Sequence, residues 1–89
     1  MRAIVTVVGQ DRVGIIADVC ALLAKNQINV LDISQTVLQD YFTMIMMVDT
    51  SMTNKTLDEI NETLRQKEQE MGLSIRLQRE DIFQAMHRI

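Results

Sequence analysis

Two of the chain's three glycines bracket the hexapeptide Gly9-Gln10-Asp11-Arg12-Val13-Gly14, which lies between an apolar run, Ala3 to Val8, and a helical stretch beginning near Ile15. Glycine permits positive φ or close approach of another group, so two of them at a strand-to-helix turn indicate a shaped loop. Such a loop exposes backbone N–H groups beside the positive end of the following helix, which suits a carboxylate. The plainer reading, that both glycines only allow a tight turn, stands beside it. Asp11 occupies the place where a dinucleotide fingerprint needs its second glycine, and no Gly-Lys-Ser/Thr follows, so neither a Rossmann nor a P-loop site is indicated. A small ligand fits better than a nucleotide.

Other reactive groups are sparse. Asp11 can offer a charge to a ligand, or it can cap the first helix or bond to its own loop. Arg12 reads as a ligand clamp or as a solvated side chain. The single cysteine, Cys20, falls on an apolar helical stripe, where a thiol behaves as a small hydrophobe, and the only histidine, His87, is far along the chain. His87 has no metal-ligand partner at suitable spacing, so no metal site and no cofactor are expected. Without paired carboxylates or a nucleophile and base, an enzyme is not indicated.

The chain has 89 residues, 47% of them apolar and 24% charged, and no proline. That is one globular domain, small enough for oligomerisation to be a common source of added stability. A net charge of −3 lacks the basic footprint of a nucleic-acid binder. Adjacent Tyr41 and Phe42 point to opposite faces of a strand and so make no stacking platform for RNA. No apolar stretch approaches the roughly 20 residues that span a bilayer, and the N-terminus opens on a strand without a signal-like segment. A cytoplasmic protein with neither nucleic-acid nor membrane partners is expected.

Periodicity orders the elements that must hold the loop. Ala3 to Val8 is apolar on both alternating faces, as in a central strand covered on two sides. A helix is expected from about Val13 to Asn26, with Asn26 taking a left-handed capping conformation. A second strand covers Asn29 to Gln39, with Leu31, Ile33 and Val37 on one face, and Gln39-Asp40 forms a hairpin turn. The third, Tyr41 to Val48, is apolar on both faces. Thr56-x-x-Glu59 announces a second helix with Leu57, Ile60, Leu64 and Met71 inward, and Gly72 ends it. Leu73 to Arg79 alternates as a half-exposed strand. Ile82, Phe83, Met86 and Ile89 share one face of a terminal helix.

The order βαββαβ implies an α+β, ferredoxin-like sandwich: a four-stranded antiparallel sheet with two helices on one face, residues 1–79, followed by a C-terminal helical extension, 80–89. Two helices cover one sheet face, so the other needs the extension, a partner subunit, or both.

With this order, the G-x-D-R-x-G-I turn at Gly9 to Ile15 and Asn29 opening the second strand resemble the ACT domain, a small regulatory module that binds amino acids. The segment Asp32-Ile33-Ser34-Gln35-Thr36 and the tail from Ile82 to Ile89 are similar to free-standing single ACT proteins of prokaryotes, related to the ACT domains of the glycine cleavage system repressor. The resemblance implies a ligand between the first loop of one subunit, Gly9, Gln10, Asp11, Arg12, Val13 and Gly14, and Asn29, often of its neighbour. The chain has Gly9, Asp11 and Val13 where the serine-binding pattern has histidine, asparagine and proline, so serine is not carried over. The implied function is a stand-alone regulatory module that binds an amino acid, and the small size and two-faced apolar strands point to a homodimer or a higher assembly built from dimers. A ligand-free oligomerisation or protein-partner module of the same fold is the alternative.

Overall fold

A computed structural model of the protein describes residues 1–81; of the expected helical extension over 80–89, residues 82–89 lie outside the described residues. The elements run in the order β1 (Arg2–Gln10), α1 (Ile15–Lys25), β2 (Asn29–Leu38), β3 (Tyr41–Asp49), α2 (Leu57–Met71) and β4 (Leu73–Arg79). The strands form one sheet ordered β2-β3-β1-β4, with every neighbouring pair antiparallel. This is the expected ferredoxin-like sandwich.

β1 lies between β3 and β4, and its alternation sorts side chains to two faces. Ala3, Val5 and Val7 join Phe42, Met44, Met46 and Val48 of β3 in the core. Leu73, Ile75 and Leu77 extend that layer on β4, and Val19 and Leu23 of α1 with Ile60 and Leu64 of α2 close over it. Full burial of such a side chain contributes roughly 1.5–3 kcal/mol, so this one layer dominates the stability. The opposite face is graded rather than covered throughout: Ile4 is 5% exposed, but Val8 is 41% and Ile45 39% exposed.

α1 starts later than its apolar spacing suggests, because Gly14 is its N-cap at φ 91, and Val13 stands outside the helix, 98% exposed. At the other end Gln27, not Asn26, takes the left-handed conformation, with φ 60 against −96 for Asn26. Ile28 N–H donates to the Leu23 carbonyl at 3.0 Å and Gln27 N–H to Ala24 at 2.9 Å, the paired bonds of a Schellman closure. Asn26 is buried for another purpose. Its Nδ2 donates to the Leu22 carbonyl at 2.8 Å, and its Oδ1 accepts from Lys55 Nζ at 2.6 Å. The amide thus ties the loop before α2 to the end of α1.

β2 differs most from simple alternation. Val30 pairs with Val48 and Asp32 with Met47, so Leu31 is the extra residue of a bulge. The bulge puts Val30, paired with Val48, on the same side as Ile33, paired with Met46, and Val37, paired with Phe42; Leu31 does not share that simple stripe. As an edge strand β2 is thinly covered, and Ile33 and Val37 stay 39% and 50% exposed.

The first and third glycines of the sequence solve different problems. A Cβ on Gly9 would collide with the Leu73 side chain and come 3.3 Å from the Gly72 carbonyl oxygen. Gly72 itself closes α2 at φ 67 and donates its N–H to the Glu68 carbonyl at 2.8 Å, turning the chain directly into β4. At the start of α2 the capping box is complete: Glu59 N–H donates to Thr56 Oγ1 at 3.2 Å, and Thr56 N–H to Glu59 Oε1 at 2.9 Å. The bond from the Thr56 backbone, then that from its hydroxyl, holds the Glu59 carboxyl below its ordinary value.

Two outcomes follow from this packing. Gly9→Ala should destabilise the fold by about 1–3 kcal/mol through overpacking, and Leu73→Ala should relieve part of that loss, a non-additivity readable from urea midpoints of the two single variants and the double. Thr56→Ala should cost about 1 kcal/mol. Because the folded-state value of Glu59 is depressed, its contribution is present above the ordinary 4.5 and is lost as pH falls through the folded value. Glu59→Gln, which keeps the box but cannot titrate, should flatten that part of the acid limb in a melting-temperature profile.

Candidate ligand-binding site

The β1–α1 loop is held from three directions. Asp11 N–H donates to the Asp40 carbonyl at 2.8 Å, fastening the loop to the β2–β3 hairpin. Arg12 Nη1 donates to Asp18 Oδ2 at 3.1 Å and to the Val13 carbonyl at 3.3 Å, while Nη2 reaches the Met71 carbonyl at 3.3 Å. Met71 is the last residue of α2, so a cation there meets the negative end of that helix. Gly9, against Leu73, supplies the third contact. Arg12 is therefore neither simply solvated nor free for a ligand.

α1 begins without a side-chain cap, and its first backbone closure is Asp18 N–H to the Gly14 carbonyl at 2.9 Å. The amides of Ile15, Ile16 and Ala17 precede that bond and have no acceptor within the helix. Asp11 does not cap them. A Cβ on Gly14 would meet nothing within 4 Å, so glycine is required there by φ rather than by space.

These groups border a hollow of about 260 Å³ lined by Asp11, Arg12, Gly14, Ile15, Ile16, Ala17, Gln35, Val37 and Phe42. The lining joins the first residues of α1 to the charged Asp11 and Arg12, and to Val37 and Phe42 with Gln35 beside them. Among the described residues the Asp11 carboxylate pairs with no cation. A larger hollow of about 550 Å³ lies between α1 and α2, lined by Ala21, Leu22, Ala24 and Met71 and by the charged Asp18, Lys25, Lys67 and Glu70. The smaller one takes in the β1–α1 loop itself.

The sequence-derived site residues divide accordingly. Asp11, Arg12 and Gly14 line the hollow; Gly9 and Gln10 are the last residues of β1, paired with Phe42 and Tyr41; Val13 projects outward. Asn29 is elsewhere in the single chain. It pairs with Asp49, which pairs with Arg2, at the opposite end of the sheet. Seven residue steps along β3 separate that end from Phe42, roughly 24 Å. Ile15, Ile16, Ala17, Gln35, Val37 and Phe42 were not among the expected site residues. The turn at Gln39-Asp40 carries the signal for two of them, since it sets Val37 opposite Phe42.

A family model described as ACT domain matches residues 2–78. A UPF0237 protein of Neisseria meningitidis serogroup B is 51% identical over 88 residues, covering 99% of this chain and 98% of that one. An ACT domain protein from Streptococcus pneumoniae is 39% identical, with a TM-score of 0.83 and 98% of each chain covered. The regulatory subunit of aspartate kinase from Thermus thermophilus, in its ligand-free form, is 28% identical with a TM-score of 0.66, covering 86% of this chain and 50% of that one. The match over nearly all of β1 to β4, together with the loop and sheet geometry, makes this chain a member of the ACT domain family.

Proposed function

We propose that this chain is a stand-alone regulatory module whose β1–α1 hollow binds a small amino acid and is completed by Asn29 of a second copy. The observation that carries the reading is the pairing, in one hollow, of uncapped α1 amides with the Asp11 carboxylate. The amides suit a carboxylate and Asp11 suits an ammonium, the two charges that an amino acid carries on one carbon. Ile16, Val37 and Phe42 leave an apolar wall for a short side chain. The similarity to a regulatory subunit supports the regulatory role.

Two copies supply what one lacks. Were β2 strands of two copies to pair antiparallel about a two-fold axis, Asn29 of one would travel toward the Gln39-Asp40 hairpin of the other, the end that carries the loop. Exposed Leu38 and Tyr41, at 71% and 63%, would be covered near that junction. The same exposed residues favour the second reading, a ligand-free oligomerisation or protein-partner module. A cytoplasmic location fits either.

A thermal-shift screen of the twenty amino acids should find a stabiliser, worth about 2.7 kcal/mol at a hundred times its dissociation constant. A flat response across the panel favours the partner-module reading. For a hit, Asn29→Ala should weaken binding by about 1–3 kcal/mol, and Asp11→Asn should weaken the amino acid more than its analogue without the amine. Gly14→Val should remove binding, since a β-branched residue disfavours φ 91. Sedimentation should show a dimer at micromolar concentration; a monomer contradicts the shared site.

A further inference from the structure

The outer strands of a sheet present unpaired N–H and C=O groups on which another strand can build. This sheet has two such edges, β2 and β4, and they are treated differently. Along β4, the Asn61 carboxamide donates through Nδ2 to the Leu77 carbonyl and accepts at Oδ1 from Leu77 N–H, both at 3.3 Å. That reciprocal pair is what a residue of an adjoining antiparallel strand would make. Two helical turns on, Glu68 Oε1 accepts from Ile75 N–H at 2.8 Å. All three bonds are part-buried. They take up both amides and one carbonyl in the middle of the β4 edge.

β2 has little of this kind. Among its described residues, the one side chain bonded to a β2 amide is that of Asp32, whose Oδ1 accepts from the next residue, Ile33, at 2.9 Å beside the bulge. From Ser34 to Leu38 no side chain of the described residues bonds to the strand's backbone, and Val37 and Leu38 are exposed.

We propose that Asn61 and Glu68 block the β4 edge against strand addition, confining sheet extension by a second copy to β2. A sheet open at both edges can add copies head to tail without closing. A sheet open at one edge pairs with the same edge of a second copy and stops at two. The closure to a dimer rests on the assembly proposed above, whereas the blocking of β4 does not.

Light scattering over a concentration series, with amide hydrogen exchange at Ile75 and Leu77, compares the parent with Asn61→Ala/Glu68→Ala. The double variant should exchange those two amides about tenfold faster when dilute, and its mass should climb past the parent's plateau as concentration rises. Arg65→Ala, which changes a side chain of α2 between Asn61 and Glu68 that bonds to Glu62 and not to β4, should keep the parent's mass. So should Glu68→Gln, which keeps an acceptor. A double variant that retains its melting transition and the parent's plateau at every concentration overturns the proposal. Should the double variant not fold, Glu68→Ala alone is read at Ile75, where protection equal to the parent's overturns it. A parent monomeric throughout contradicts the dimer reading, and a gain of mass by the variant then still supports the blocking of β4.

Discussion

The guanidinium of Arg12 joins the β1–α1 loop to the first turn of α1 and to the last carbonyl of α2. At 39% side-chain exposure, and paired with an Asp18 that is 53% exposed, its ion pair contributes at most about 1 kcal/mol. Its importance is positional. Both helices pack on the sheet, and this one side chain bridges the start of α1 and the end of α2. With Asp11 N–H fastened to Asp40 and Gly9 fitted against Leu73, it holds the uncapped α1 amides over Gln35, Val37 and Phe42.

The sheet supplies the energy that this arrangement draws on. Its helix-covered face buries an unbroken layer across β1, β3 and β4, while β2 lies at the margin with an exposed edge. That asymmetry links packing to function. The thinly covered strand forms one wall of the hollow and also begins at Asn29, so an assembly through β2 would alter stability and ligand binding together. β4, by contrast, is bound along its outer side by α2.

The element order, the α2 capping box and the Gly72 stop are readable in the sequence because each rests on local rules: apolar period, a Thr-x-x-Glu spacing, a glycine after the last apolar turn. The family is readable for the same reason, since Gly9 to Ile15 and Asn29 carry it in short segments. What local rules could not convey is non-local. The β2 bulge at Leu31 depends on register against Val48 and Met47, and Arg12's reach to Met71 spans 59 positions. Gln27 takes the left-handed place expected of Asn26 because α1 ends one residue earlier, at Lys25, and the closing bonds to Ala24 and Leu23 come from Gln27 and Ile28. Gln35 falls by simple alternation on the side of Ile33 and Val37, but nothing local shows that this side borders the start of α1.

If Asn29 of one copy approaches the loop of another, a distance between chains shows it without any ligand. In a Cys20→Ala background, chains spin-labelled only at Val13→Cys are mixed and re-equilibrated with chains labelled only at Asn29→Cys, so that pulsed dipolar coupling reports separations between copies. Coupling is expected at a distance clearly shorter than that within a single doubly labelled chain, where the two ends of the sheet lie roughly 24 Å apart. No coupling in the mixture, or a distance longer than the one within the chain, would contradict it.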